Sequence, residues 1–172
     1  YNYIELKKEL PEQSYCSRTD TEVILKAYSE WGENCVCRFN GIFAFAIWDR
    51  HEHKLFCVRD HLGVKPFYYA MQDGNFYFAS EIKALFAAGV RAKPNNKIIY
   101  NYLVHGVYEH SEETFFEGIN QLMPGCSLTV ENNEIKKKRY WYLPDNCKSL
   151  IHLNDQEVQE KFLELLYDAI KI

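Results

Sequence analysis

The sequence predicts an α+β layered sandwich, and three observations carry that prediction. The middle of the 172 residues is a block of short apolar and aromatic runs separated by polar turns. Helical periodicities lie before this block and after it. Within it, residues 42–48 (IFAFAIW) are apolar at nearly every position. That pattern predicts a central strand buried on both faces, which requires layers on either side of its sheet.

Taken in order, residues 2–10 place Tyr3, Ile4, Leu6 and Leu10 among charges, a helical pattern that Pro11 closes. Residues 12–19 are polar and irregular. In residues 20–31, Val23, Ile24, Ala27, Tyr28 and Trp31 fall at helical spacing. Thr19 or Asp20 starts this helix, Glu22 suits the same end of its dipole, and Gly32 caps its other end. A linker over 33–39 leads to the strands. Residues 42–48 and 54–59 flank a polar turn, and residues 67–79 form a hairpin about Asp73-Gly74. Ser80-Glu81-Ile82-Lys83 opens a short helix that runs to Gly89, and residues 97–104 form a second. Residues 105–118 are mixed. Residues 127–130 and 134–141 read as strands around Asn132-Asn133, and 143–146 as a linker. From Asp155 onward, Val158, Phe162, Leu165, Leu166, Ala169 and Ile170 mark an amphipathic helix.

The bulk properties exclude several classes. A net charge of −4 and a pI near 5.9 give no basic footprint for nucleic acid. The run Lys136-Lys137-Lys138-Arg139 reads as a solvated strand end. No apolar stretch reaches bilayer length, and the start has no signal-peptide pattern. The cysteines, at 16, 35, 37, 57, 126 and 147, form no disulfide framework, which predicts reduced thiols in a cytoplasmic protein. Cys35-Val36-Cys37 lacks the second pair that a zinc site needs, and no metal is expected. Tyr1 falls inside a helical pattern, and the last helix is still running at Ile172. The expectation is an internal piece of a longer polypeptide.

Few catalytic constellations stand out. The nucleotide-loop, nucleophile-elbow and zinc-helix motifs are all absent. His51 and His53 read as the solvated tip of a hairpin, and His61 as a turn residue. Asp20 is the polar residue in an unusual place, at a helix start before an apolar face. Its carboxylate either caps the helix or holds an ammonium group of a ligand.

The ordered blocks SRTDTEVILKAYSEWG, RFNGIFAFAIWDRHEHKLFCVRDHLGVKPFYYA, FYFASEIKAL, FFEGINQLMPGCSLTV and RYWYLP resemble the glutaminase domain of glutamine-hydrolysing asparagine synthetases. The resemblance runs over essentially the whole chain. It implies the four-layer αββα N-terminal-nucleophile hydrolase sandwich, two antiparallel sheets between helices, truncated at its N-terminal end. It assigns residues 1–144 to the amidotransferase domain, lacking the segment that bears the nucleophile. Residues 145–172 become the linker and first helix of an ATP-dependent synthetase domain.

In that family an N-terminal cysteine attacks the glutamine side-chain amide, with its own α-amino group as base. An Asn-Gly motif holds the oxyanion, and an arginine grips the substrate carboxylate. All three fall upstream of Tyr1, so the resemblance gives this chain no catalytic residue and predicts that it is inactive by itself. By the same resemblance Asp20 binds the α-ammonium of glutamine. Ammonia then travels to a β-aspartyl adenylate made from aspartate and MgATP, and both ATP and Mg are bound outside this chain. Arg59, Asp60 and Lys65 in RDHLGVKP read as structural, an Arg-Asp pair fixing a strand end before a turn. Alternatively their loop lines the ammonia path or the domain interface, where Glu81 and Lys83 would also lie. A homodimer is left open. Two other readings remain: an amidotransferase acting on another carboxylate, such as a sugar acid, and an inactive sandwich module.

Overall fold

The strand that both cores share is β2 (Lys54–Arg59), and period-2 alternation explains how. Phe56 and Val58 face one layer and Cys57 the other, and all three are fully buried. A computed structural model describes residues 1–11, 15–17, 19–143 and 153–171. In it β1 (Ala44–Asp49) pairs antiparallel with β2, from Ala44 opposite Arg59 to Asp49 opposite Lys54. On the other side of β2 lies β6 (Cys126–Glu131), followed by β7 (Glu134–Arg139), giving the order β1-β2-β6-β7. A second antiparallel sheet has the order β4-β3-β5, from β3 (Tyr68–Gln72), β4 (Asn75–Ala79) and β5 (Ile119–Gln121).

Three apolar clusters stack these sheets into layers. Outside the first sheet, α1 (Tyr3–Glu9), α2 (Asp20–Trp31) and a 3₁₀ segment (Gly32–Arg38) bury Leu6, Val23, Ala27 and Val36 against Phe56 and Val58. Between the sheets, Cys57 and Leu128 meet Phe67, Tyr69 and Leu122. Outside the second sheet, α3 (Ile82–Ala87) packs Leu85 on Ala70 and Ile119. The order is helix, sheet, sheet, helix, as expected. Burying one side chain of the size of Phe56 is worth about 2–3 kcal/mol. The clusters hold the layers together, and the five described cysteines are all free thiols.

Local chemistry fixes the connections. Asp73 and Gly74 have φ of 52° and 75°, and Asn132 and Asn133 have 50° and 62°, the left-handed pairs that two-residue hairpins require. In α4 (Asn96–His105), the Asn95 side chain caps the helix by accepting the N–H of Ile98. The final helix, α5 (Asp155–Lys171), forms as its periodicity predicts, but no residue on it is buried.

Four expectations need correction. The apolar run does not make a central strand. Its strand starts at Ala44, β1 lies at the edge of its sheet, and Ile42 and Trp48 at the ends of the run are 52% and 55% exposed. The central strand is β2, whose sequence is less apolar but whose four last residues are all buried. The expected linker at 33–39 is mostly the 3₁₀ segment. The run ending at Trp141 leaves the sheet at Arg139, because Tyr140 and Trp141 turn their N–H groups to the carbonyl of Gly125. Finally, β5 has no counterpart among the expected strands. The proposed boundary at 144/145, and all but Leu143 of the linker at 143–146, lie outside the described residues.

Candidate functional site

The site is built on the loop that joins β2 to β3. Arg59 and Asp60 are 7% and 1% exposed, and each serves the backbone of this loop. The Asp60 carboxylate accepts the N–H groups of Leu62, Val64 and Lys65, at 3.2, 2.9 and 2.9 Å. Arg59 donates to the carbonyls of Gly63, Lys65 and Leu122 and to the Gln121 side chain, reaching across to the second sheet. The expected Arg-Asp ion pair does not form. Both charges are satisfied by backbone dipoles, the form in which burial of such groups is tolerable. Tyr140 locks the strand end by donating to the Arg59 carbonyl at 2.7 Å.

Beside this loop lies a cavity of about 490 Å³, within the range that small-molecule sites occupy. The start of α2 supplies Asp20 and Thr21 to its wall, β1 supplies Ala44 and Ala46, and the loop supplies Lys65 and Pro66. Tyr1 closes one side, donating its hydroxyl to the Asp20 carbonyl at 2.5 Å. Burial, then the nearby Asp20 charge, pushes the Tyr1 phenol up, so it remains a donor at neutral pH.

The position of Asp20 bears on the first of its two readings, the cap. Thr19 is the N-cap residue and Asp20 the first residue of α2, so Asp20 does not cap the helix. Its carboxylate makes no hydrogen bond or ion pair with another described residue. The Lys65 ammonium, in the same cavity wall, is likewise unpaired among the described residues. An exposed carboxylate and an exposed ammonium at one apolar-floored cavity can together receive a zwitterion.

A second depression, of about 610 Å³, shares Ile42 with the first and adds His61, Leu62, Val64 and Trp141. The His61 ring meets Phe43, Tyr140 and Trp141 edge-on, with centroids 6.0, 5.5 and 5.1 Å away. This burial lowers its pKa against the opposing pull of Asp60. His61 is therefore more than a turn residue. His51 and His53 sit exposed in the hairpin turn, as expected. Glu81 and Lys83 pair with each other at 2.6 Å on the surface.

The cysteines take no part in the main cavity: none of the five described ones lines it. Burial pushes the Cys35 and Cys57 thiols up to about 12, which makes them inert packing groups. No group of three potential metal ligands occurs among the described residues. Nor is any described helix long and apolar enough to cross a membrane. Sequence reasoning singles out Asp20, reads Lys65 as structural or as part of a loop lining the ammonia path or domain interface, and passes over Ile42. Lys65 carries one faint signal, a lysine held between Gly63 and Pro66 in a turn.

Two stacked antiparallel sheets between helices, with a polar-rimmed cavity at the edge of the first, define a four-layer α+β sandwich. In fold it is similar to the glutamine phosphoribosylpyrophosphate amidotransferase of B. subtilis, solved with ADP and GMP. The TM-score is 0.55 at 19% identity, over 83% of this chain and 27% of that one. The allosteric regulatory enzyme of purine biosynthesis gives 0.56 at 20%, with the same coverage. A family model described as glutamine amidotransferase domain matches residues 1–141, and the chain belongs to that family. Among curated relatives it is 40% identical over 144 residues to glutamine-hydrolysing asparagine synthetase 3 of Bacillus subtilis, covering 82% of this chain and 24% of the relative. It is 31% identical over 175 residues to glutamine-hydrolysing asparagine synthetase 1 of the same organism, covering 100% and 27%. The chain thus spans about a quarter of the length of these relatives.

Proposed function

We propose that this chain is the glutamine-binding sandwich of a glutamine-hydrolysing asparagine synthetase. The observation that carries the reading is the Asp20 carboxylate in the cavity wall, unpaired among the described residues, in a chain of the glutamine amidotransferase family. Asp20 holds the α-ammonium of glutamine by a charge-assisted hydrogen bond. The apolar floor beside it accepts the methylene stem. The nucleophilic thiol, its amine base, the oxyanion donors and the arginine for the substrate carboxylate are assigned to sequence upstream of Tyr1. Attack of the thiolate on the side-chain amide carbon expels ammonia and leaves a thioester, which water converts to glutamate.

Ammonia must stay unprotonated to act as a nucleophile, so its route needs apolar walls. Ile42, common to both depressions, and the neighbouring Leu62 and Val64 supply such walls on this chain. In this reading MgATP is bound outside this chain, whose sequence has no phosphate-binding loop. Activation of aspartate is accordingly assigned to the rest of the longer polypeptide. Residues 145–172 are assigned to the link with that part.

The test is a glutaminase assay of the gene product that contains this chain, with and without aspartate and MgATP. Ammonia release coupled to asparagine formation supports the reading. Replacing Asp20 with Asn should raise KM for glutamine about 10- to 100-fold, the range of one charge-assisted hydrogen bond. Ammonia without asparagine would redirect the proposal to another carboxylate acceptor. An upstream sequence without an N-terminal cysteine, and no ammonia, would refute it.

A further inference from the structure

The chain that leads into α2 is tied down by a carboxylate two residues beyond Asp20. Glu22 accepts the N–H of Cys16 at 2.9 Å through one oxygen. Its other oxygen accepts the N–H and the hydroxyl of Ser17, both at 2.7 Å. Ser17 in turn hydrogen-bonds the Thr19 hydroxyl at 2.8 Å and receives the Thr19 N–H at 3.3 Å. The clamp is anchored further along the helix. Lys26 lies 3.7 Å from Glu22, one turn away, and its ammonium also sits 4.1 Å from the centre of the Tyr15 ring. Lys7 of α1 approaches the same ring at 4.7 Å. Residues 15–17 are therefore held to both helices.

This arrangement does a job that the helix itself leaves undone. Thr19 makes no side-chain capping bond, and among the described residues the first turn of α2 is otherwise held at its Asp20 carbonyl, by Tyr1. Asp20 is exposed and its carboxylate makes no bond of its own among the described residues. The direction in which the chain enters α2 helps to set where that carboxylate lies.

We propose that Glu22 is a positioning residue for Asp20: by gripping Cys16 and Ser17 it fixes the entry into α2 and holds the Asp20 carboxylate at the cavity. The proposal rests on the reading of Asp20 as the ammonium-binding residue. Glu22 does not line the cavity. Its carboxylate is held down to about pKa 2, first by the Ser17 hydroxyl and then by the Cys16 N–H, so the clamp is charged throughout the neutral range.

The experiment compares Asp20→Asn, Glu22→Gln and the double variant in the gene product containing this chain, with Glu30→Gln, at the far end of the same helix, as control. Thermal melts establish that each variant is folded. We expect Glu22→Gln to raise KM for glutamine about tenfold with kcat within about twofold, since binding is lost while chemistry is untouched. The double variant should be no worse than Asp20→Asn, because both changes remove one interaction. Glu30→Gln should behave as wild type. If Asp20→Asn raises KM and Glu22→Gln does not, the clamp is merely structural and the proposal falls while the Asp20 reading stands. A lower melting temperature for Glu22→Gln with KM unchanged overturns the proposal in the same way. If Asp20→Asn leaves KM unchanged, both fall.

Discussion

Asp60 accepts three backbone N–H groups while only 1% exposed, so removing its carboxylate orphans several donors in one buried turn. At about 1–3 kcal/mol for each unsatisfied group, Asp60→Ala should cost about 3 kcal/mol or more. It would be read as a lower urea midpoint at unchanged slope. Glu22 gives a pH signature. Its folded pKa, about 2, lies below the ordinary 4.5, so the unfolded chain binds the proton first on acidification. Its contribution to stability is complete above pH 4.5 and is lost as pH falls toward 2. The melting temperature of Glu22→Gln should therefore fall less steeply than wild type across that window. His61 is depressed too, chiefly by burial among aromatic rings. Its contribution is likewise present above 6.5 and lost on acidification below it, and its imidazole NMR titration should have a midpoint under 6.5. At this scale the sequence draws attention to Asp20 through its place at a helix start, and the structure puts it in a cavity wall. The sequence names Lys65 but cannot show that Lys65 shares a cavity wall with Asp20, because that depends on how two distant elements pack.

Gly63 shows how an element boundary constrains the site. It has φ of 67°, and an added Cβ would lie 2.7 Å from the Pro124 ring and 3.1 Å from the Arg59 guanidinium. Gly63→Ala thus meets both backbone strain and a collision with the group that holds the loop, and should cost about 2 kcal/mol or more. A thermal melt would show it. The hairpins are legible because Asp73-Gly74 and Asn132-Asn133 announce left-handed turns between alternating runs. The helices at 20–31 and 155–171 are legible from their period. β5 is not, since three residues, Ile119 to Gln121, carry no period, and they pair with β3 only once the sheet exists. The apolar run before Trp48 misleads because apolar content reports the side chains' character, not the number of neighbouring strands. Its aromatic residues Phe43 and Phe45 pack toward the helices while its small residues Ala44 and Ala46 face the other core, which an edge strand also permits.

The whole molecule ties its site to one layer more than to the other. α2, which carries Asp20, sits on the first sheet through Val23, Ala27 and the stacking of Tyr28 on Phe56, whose ring centroids are 5.5 Å apart. Ile119, 1% exposed against 0% for Phe56, belongs to the cluster outside the second sheet, away from α2. Truncating either core residue should destabilise the sandwich, by about 3–5 kcal/mol for Phe56→Ala and about 2–5 kcal/mol for Ile119→Ala. Their effects on substrate capture should differ. The cavity left by Phe56 lies beneath the helix that presents Asp20, so α2 can settle and displace the carboxylate. The cavity left by Ile119 is separated from α2 by two sheets and the core between them. Among molecules that remain folded, Phe56→Ala should raise KM for glutamine, whereas Ile119→Ala should leave it within about twofold of wild type. The comparison is informative because both variants lose stability, so stability alone cannot produce the difference. An equal rise in both would mean that the two sheets transmit strain to the cavity as one body, and that the layer under α2 holds no privileged control over the site.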